Sequence, residues 1–257
     1  MHHSYIDRFA QGSSPIHRLD AQSKLLAIIA YSAVLISFDR YAVAVLAPMA
    51  LLPVAMLLLA GIPLSFALRR VLILSPFILA TCLLAPIYDH SLHHVQFAHW
   101  QGAVGGGWLT LWDIAVKFTL GVLALTALIS TTPFGRVLDA LRKFHMPKLL
   151  VMQLGFLYRY LFVLVDEAMR IRRARDFRGS PAAPALRRLR AVGGIIGSLF
   201  VRTLERSDRV SIAMLARGYD GQDRSLRVAH FHAADVWFML ATATYLVFCR
   251  AVYPRIL

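Results

Sequence analysis

Five long apolar runs punctuate this chain, separated by polar or turn-forming residues. The first covers residues 25–38, extended backwards by Ala21 and Gln22. It is short for a hydrocarbon core about 30 Å thick, so the bilayer must thin there or Lys24 must snorkel. Residues 41–62 form a full-length run in which Pro48 and Pro53 predict a kink. Residues 71–87 carry Pro76 and Pro86; residues 109–130 carry Asp113 and Lys117 in their first turns; residues 233–252 close the series. Each run reads as a transmembrane helix.

A further stretch, residues 149–165, is almost as apolar but contains Gln153 and Arg159. A central arginine adds roughly 2.5–3.5 kcal/mol against insertion. Crossing would also put Lys148 and the cluster Arg170, Arg172, Arg173, Arg175 and Arg178 on opposite faces. The stretch therefore reads as a helix lying along the interface or against the embedded part. Around it, residues 133–232 resolve into three helices. The first starts at Pro133 and breaks at Met146-Pro147. A second runs from Lys148 to about Phe177, ended by Gly179-Ser180-Pro181, and a third from about Ala185 to Ala216, stopped by Gly218.

Composition agrees with this layout. Hydrophobic residues make up 58% of the 257, above the ~45–50% of soluble domains. Net charge is +14, and residues 133–232 hold nineteen Lys/Arg against eight Asp/Glu, so the basic excess is concentrated there. Beside membrane spans, such an excess marks the cytoplasmic side. Arg8, Arg18, Lys24, Arg69 and Arg70 fall on that same side, whereas the loop over residues 88–108 has no Lys or Arg. The expected topology has the N-terminus in the cytoplasm and the C-terminus outside. The fold class is an all-α integral membrane protein with about five transmembrane helices and a cytoplasmic module of about three. Residues 1–132 hold the first four spans, 133–232 the module, and 233–257 the last span. No signal peptide is evident at residues 1–22.

Candidate chemistry is sparse. Cys82 and Cys249 lie in apolar runs and imply neither disulfide nor metal motif. His90, His93, His94 and His99 cluster in the outer loop, while His2 and His3 fall on the other side, so no metal site is expected. Asp113 and Lys117, four apart, read as a local ion pair. Asp166 and Glu167 beside Arg170 are the one acidic pair an enzyme reading could use, but neighbours on a helix point in different directions. No phosphate-binding loop occurs, so any ATP and Mg²⁺ belong to another chain. Gly193, Gly194 and Gly197 lie in an apolar helical stretch and suit close packing by a neighbouring helix. The arginine clusters suit anionic lipid. Nucleic acid is disfavoured because the aromatic residues are not interleaved with the basic ones.

Two helix ends echo each other: Ala174-Arg175-Asp176-Phe177-Arg178-Gly179 and Ala216-Arg217-Gly218-Tyr219-Asp220-Gly221. An arginine there complements the negative end of the helix dipole and offers a planar fork of donors. A plain capping charge would look the same.

Residues Glu205-Arg206-Ser207-Asp208-Arg209-Val210 and Ala213-Met214-Leu215-Ala216-Arg217-Gly218-Tyr219-Asp220-Gly221 resemble the energy-coupling-factor transporter T component. The opening Ile6-Asp7-Arg8-Phe9-Ala10, then His17-Arg18-Leu19-Asp20 and Lys24-Leu25-Leu26, is similar to its cobalt-type branch, CbiQ. The resemblance covers essentially the whole chain. It implies a non-catalytic coupling subunit of an importer in the prokaryotic plasma membrane. Such a subunit joins a substrate-binding membrane subunit to two cytoplasmic ATPases through arginine-centred motifs, here Ala174-Arg175-Asp176 and Ala216-Arg217-Gly218. The first motif departs from the family pattern, since Asp176 stands where a small residue is usual. Cobalt is the implied cargo, with nickel or a vitamin as alternatives. A membrane-bound enzyme and a stand-alone secondary transporter are the competing readings.

Overall fold

The structure, a computed structural model, describes residues 12–38, 46–88, 92–97, 100–177, 185–221 and 232–252. The motif at residues 6–10, the His2-His3 pair and Gly179-Ser180-Pro181 lie outside the described residues. The chain divides into two compact units, Met1–Ala140 with Ala229–Leu257, and Leu141–Val228.

In the first unit a short helix α1 (Pro15–Arg18) leads into α2 (Ala21–Ile36). A 3₁₀ turn at Pro48–Ala50 opens α3 (Leu51–Leu59), followed by α4 (Leu64–Tyr88). Strands β1 (Leu92–Phe97) and β2 (Trp100–Gly105) form an antiparallel ribbon in which Leu92 faces Gly105 and Phe97 faces Trp100. Then come α5 (Gly106–Thr131), α6 (Phe134–Lys143) and, after the second unit, α9 (Ala233–Val247), which continues into a π-helical turn at Phe248–Val252. The second unit contains α7 (Lys148–Asp176) and α8 (Ala185–Ala216).

Buried alanines at 27, 67, 124 and 127 leave room for helices to approach closely around Tyr31, Leu57 and Leu246. Contacts at both ends of α2 give the helix directions. Lys24 meets Thr131, whereas Lys117 Nζ donates to the Phe38 carbonyl at 2.7 Å, so α5 runs antiparallel to α2. Asp20 meets Asp235, and Arg250 stacks over Phe38 at 5.4 Å, so α9 runs parallel to it. The N-terminal segment, the end of α5 and the start of α9 therefore share one end of the unit. The charge pattern put the same three segments on one side.

The prolines of the second run have specific partners. Pro53 lacks the N–H that would reach back to Met49, and the freed Met49 carbonyl accepts instead from the Tyr31 hydroxyl at 3.0 Å. The Pro48 carbonyl accepts from the Tyr245 hydroxyl of α9. Thus the 3₁₀ turn and the start of α3 form a junction with α2 and α9.

Several expectations are corrected. The described helical part of the second run covers Pro48 to Leu59, and residues 41–45 of that expected span lie outside the described residues. A Gly61 in the left-handed region (φ 69°) ends it, with Ile62 N–H on the Leu57 carbonyl. The third helix starts at Leu64, right after Pro63, so Arg69 and Arg70 sit inside it, not in a loop; the Arg70 guanidinium lies 4.7 Å over the Phe66 ring. The loop over residues 88–108 holds the β ribbon. Lys24 does not snorkel. Its side chain is fully buried, because the last carbonyls of α5 lack helical donors and it supplies one.

By length and composition, three helical stretches among the described residues could cross a membrane: Thr110–Thr131, Lys148–Asp176 and Ala233–Ala251. The second contains the stretch that the charge pattern kept out of the bilayer. Asp113 and Lys117 pair at 2.9 Å, and Cys249 is buried as a free thiol.

Candidate functional site

The second unit carries the candidate site. Helices α7 and α8 pack antiparallel, as two contacts at opposite ends of the pair fix. Glu167 of α7 pairs with Arg202 of α8, and the Tyr219 hydroxyl just past α8 lies 2.6 Å from Met152 Sδ in the first turns of α7. Between these contacts runs a groove of about 480 Å³. Phe156, Leu157, Tyr160 and Leu164 line it from α7, and Val210, Met214 and Leu215 from α8, with Thr203, Ser207 and Ser211 as a polar row and Arg206 beside them.

The antiparallel arrangement sends the two arginine motifs in opposite directions. Arg175 lies eight residues beyond Glu167, and Arg217 fifteen beyond Arg202. At 1.5 Å per residue the two stand roughly 30–35 Å apart along the pair. Arg175 is half-buried and Arg217 exposed, and neither guanidinium makes a hydrogen bond or ion pair among the described residues. Asp176 is not a partner for Arg175: its carboxylate lies 3.8 Å from Arg172, one turn back, in an exposed pair.

The ends themselves are built differently. At α8, Gly218 adopts φ 77°, its N–H bonds to the Leu215 carbonyl, and the Tyr219 N–H bonds to the Met214 carbonyl. This is a Schellman closure, which requires a left-handed residue and so accounts for the glycine. Arg217 is the capping residue of that closure. At α7 the cap is Phe177, in ordinary right-handed geometry, and Arg175 lies two residues inside it.

Gly193, Gly194 and Gly197 are exposed, and apart from the helix's own nearby backbone and chain neighbours no described atom lies within 4 Å of where a Cβ would stand. The described residues supply no helix to pack on them. Beside them Val192, Ile196, Phe200 and Leu204 recur every four residues, each about half exposed or more, as an uncovered apolar stripe on α8. Arg159 is exposed on α7.

Glu167, the acid of the competing enzyme reading, is engaged by Arg202 and, at 3.8 Å, by Arg170. His93 and His94 lie in β1, while Asp89, His90 and His99 fall outside the described residues. Among the described residues no group of three or more His, Cys, Asp or Glu is placed to hold a metal ion. Sequence reasoning missed Met152, Tyr219 and the Glu167–Arg202 pair as cross-links. Tyr219 alone carried a signal, since it follows the second arginine motif.

Residues 12–228 match the family described as "Cobalt transport protein", CbiQ. The chain is 27% identical to the energy-coupling factor transporter transmembrane protein EcfT of Bacillus subtilis, over 84% of each chain. It is 29% identical to EcfT of Lactococcus lactis, over 87% of each. To the cobalt transport protein CbiQ of Salmonella typhimurium it is 30% identical, over 48% of this chain and 54% of the relative.

Proposed function

Because this chain belongs to the CbiQ cobalt transport protein family, we propose that it is the coupling subunit of an ATP-driven importer whose cargo is cobalt ion. Its relatives support the coarser statement directly: it is a prokaryotic membrane protein, the transmembrane component of an energy-coupling-factor-type transporter. The finer reading assigns it two cytoplasmic ATPases, which carry the ATP and Mg²⁺, and a separate substrate-binding membrane subunit. The N-terminus is cytoplasmic and the C-terminus outside.

One observation carries this reading. Two arginine forks with no hydrogen-bond or ion-pair partner among the described residues stand at opposite ends of one antiparallel helix pair. A single partner site would favour arginines that converge; a partner made of two similar subunits favours arginines that diverge. Arginine is suited to such docking because its fork satisfies carboxylates or carbonyls bidentately. The uncovered stripe of α8, with its glycine notches, supports a second contact with an apolar helix of the substrate-binding subunit. Coupling then requires that ATP-bound and ATP-free ATPases hold the two ends differently.

The test is co-purification of the ATPases with wild type, Arg175→Glu, Arg217→Glu and the double variant. Loss of the complex from a folded double variant supports docking at both ends. Normal binding by the double variant reduces the arginines to caps and removes the lever.

A further inference from the structure

The N-terminal motif that resembles the cobalt-type branch is not used by the proposed ATPase docking, yet its described residues are tied to distant parts of the first unit by several polar contacts. Lys24 Nζ donates to the Thr131 carbonyl at 3.0 Å and to Thr132 Oγ1 at 3.3 Å. The His17 carbonyl accepts from Arg136 Nη1 at 2.8 Å, and the His17 ring is held by Ser14 Oγ at 2.7 Å. The Asp20 N–H donates to Asp235 Oδ1 at 2.7 Å, while Asp235 Oδ2 accepts from the His232 N–H at 2.9 Å. Lys24, Asp235, His17, Thr131 and Thr132 are all buried.

These partners are not scattered. Thr131, Thr132 and Arg136 flank Pro133, where α5 hands over to α6 and the chain heads into the second unit. His232 and Asp235 form the capping box of α9, where the chain has just come back. Eleven residues, 14–24, thus pin both connections, from sequence separations of 107, 119 and 215. We propose that this segment is a clamp that holds the outgoing and returning connections of the coupling module in fixed relation, and that Lys24, Arg136 and Asp235 are positioning residues for energy coupling. The proposal rests on the coupling-subunit reading. The two connections are the covalent paths by which the chain leaves the first unit and returns to it. If they could shift independently, motion imposed on the module would be spent in local slack. With Lys24 bridging the end of α5 and Asp235 bridging Asp20 to α9, they move as one piece.

The experiment uses the whole complex in proteoliposomes with radiolabelled Co²⁺, comparing wild type with Lys24→Met, Arg136→Met, Arg136→Lys and Asp235→Asn. Expected is normal retention of the ATPases and normal ATP hydrolysis, with Co²⁺ taken up per ATP lowered about fivefold or more in Lys24→Met, Arg136→Met and Asp235→Asn. Arg136→Lys, which keeps a donor for the His17 carbonyl, should recover most of the ratio. An unchanged ratio overturns the clamp. So does a loss of folded complex or of hydrolysis in step with uptake in every variant, because the bonds are then merely structural. Should the wild type retain its ATPases but take up no Co²⁺, the cargo assignment fails and a second measurement decides the clamp. Spin labels at Asp139→Cys and Trp237→Cys should give one narrow distance with and without ATP, broadened by Lys24→Met; equal distributions overturn it. A wild type that binds no ATPases sinks the coupling reading instead.

Discussion

Arg217 is the capping residue of α8, whereas Arg175 stands two residues inside the cap of α7, although the sequence around them nearly repeats. The second fork is presented on a closed, hydrogen-bonded turn and the first on the flank of the last helical turn. Each reversal to Glu should cost about 2 kcal/mol or more of ATPase affinity, roughly 30-fold, as for charged anchors buried on docking. Titrating purified ATPase onto the single variants measures it; a loss under about twofold at either site would mean that fork is not buried in the complex.

The turn that presents Arg217 gives a separate prediction. Gly218→Ala places a Cβ at φ 77° and should destabilise the α8 end by about 1–2 kcal/mol. The end of α6 has the same closure with His145 at φ 58°, its N–H on the Arg142 carbonyl and that of Met146 on the Leu141 carbonyl. There, His145→Gly should stabilise by about 0.5–1 kcal/mol, once the flexibility of glycine in the unfolded chain is deducted. Unfolding in detergent tests the opposite signs.

Substitution of the α8 glycines separates packing within the chain from packing on a partner. Gly193→Leu and Gly197→Leu enter open space and replace a poor helix former, so stability should hold or rise by about 0.5–1 kcal/mol. Assembly with the substrate-binding subunit should fall. If assembly persists with both leucines present, the stripe is not that interface.

The Met49 carbonyl offers a test of the proline junction. Tyr31→Phe leaves it buried without its donor and should cost about 1–3 kcal/mol. Pro53→Ala restores an N–H at the position that would normally bond it, so in that background Tyr31→Phe should cost less than half as much. Additive costs would show that the hydroxyl serves some other purpose.

Local chemistry made the helices from α6 to α8 legible in the sequence. Pro133, the Met146-Pro147 step and Gly218 act on their own neighbours, so the bounds of α6, α7 and α8 follow within one or two residues. The position of Arg175 and Arg217 at helix ends was legible for the same reason. What was not legible depends on distant partners. Lys24 read as a snorkelling flank because its acceptor lies 107 residues away. Arg69 and Arg70 fell between two apolar runs because two adjacent charges interrupt the hydrophobic pattern, whereas Pro63 starts a helix that carries both. The antiparallel order of α7 and α8, which sets the arginines apart, is visible only through Glu167–Arg202 and Tyr219–Met152, pairs with no local signature.

That order has a mechanical consequence. An α-helix resists changes of length, so in the proposed complex neither α7 nor α8 would shorten if ATPases docked at Arg175 and Arg217 drew together. On that proposal the pair would act as a calliper: a change in the gap between its jaws would become a change in the angle at which the arms cross, felt first at the Glu167–Arg202 and Tyr219–Met152 contacts.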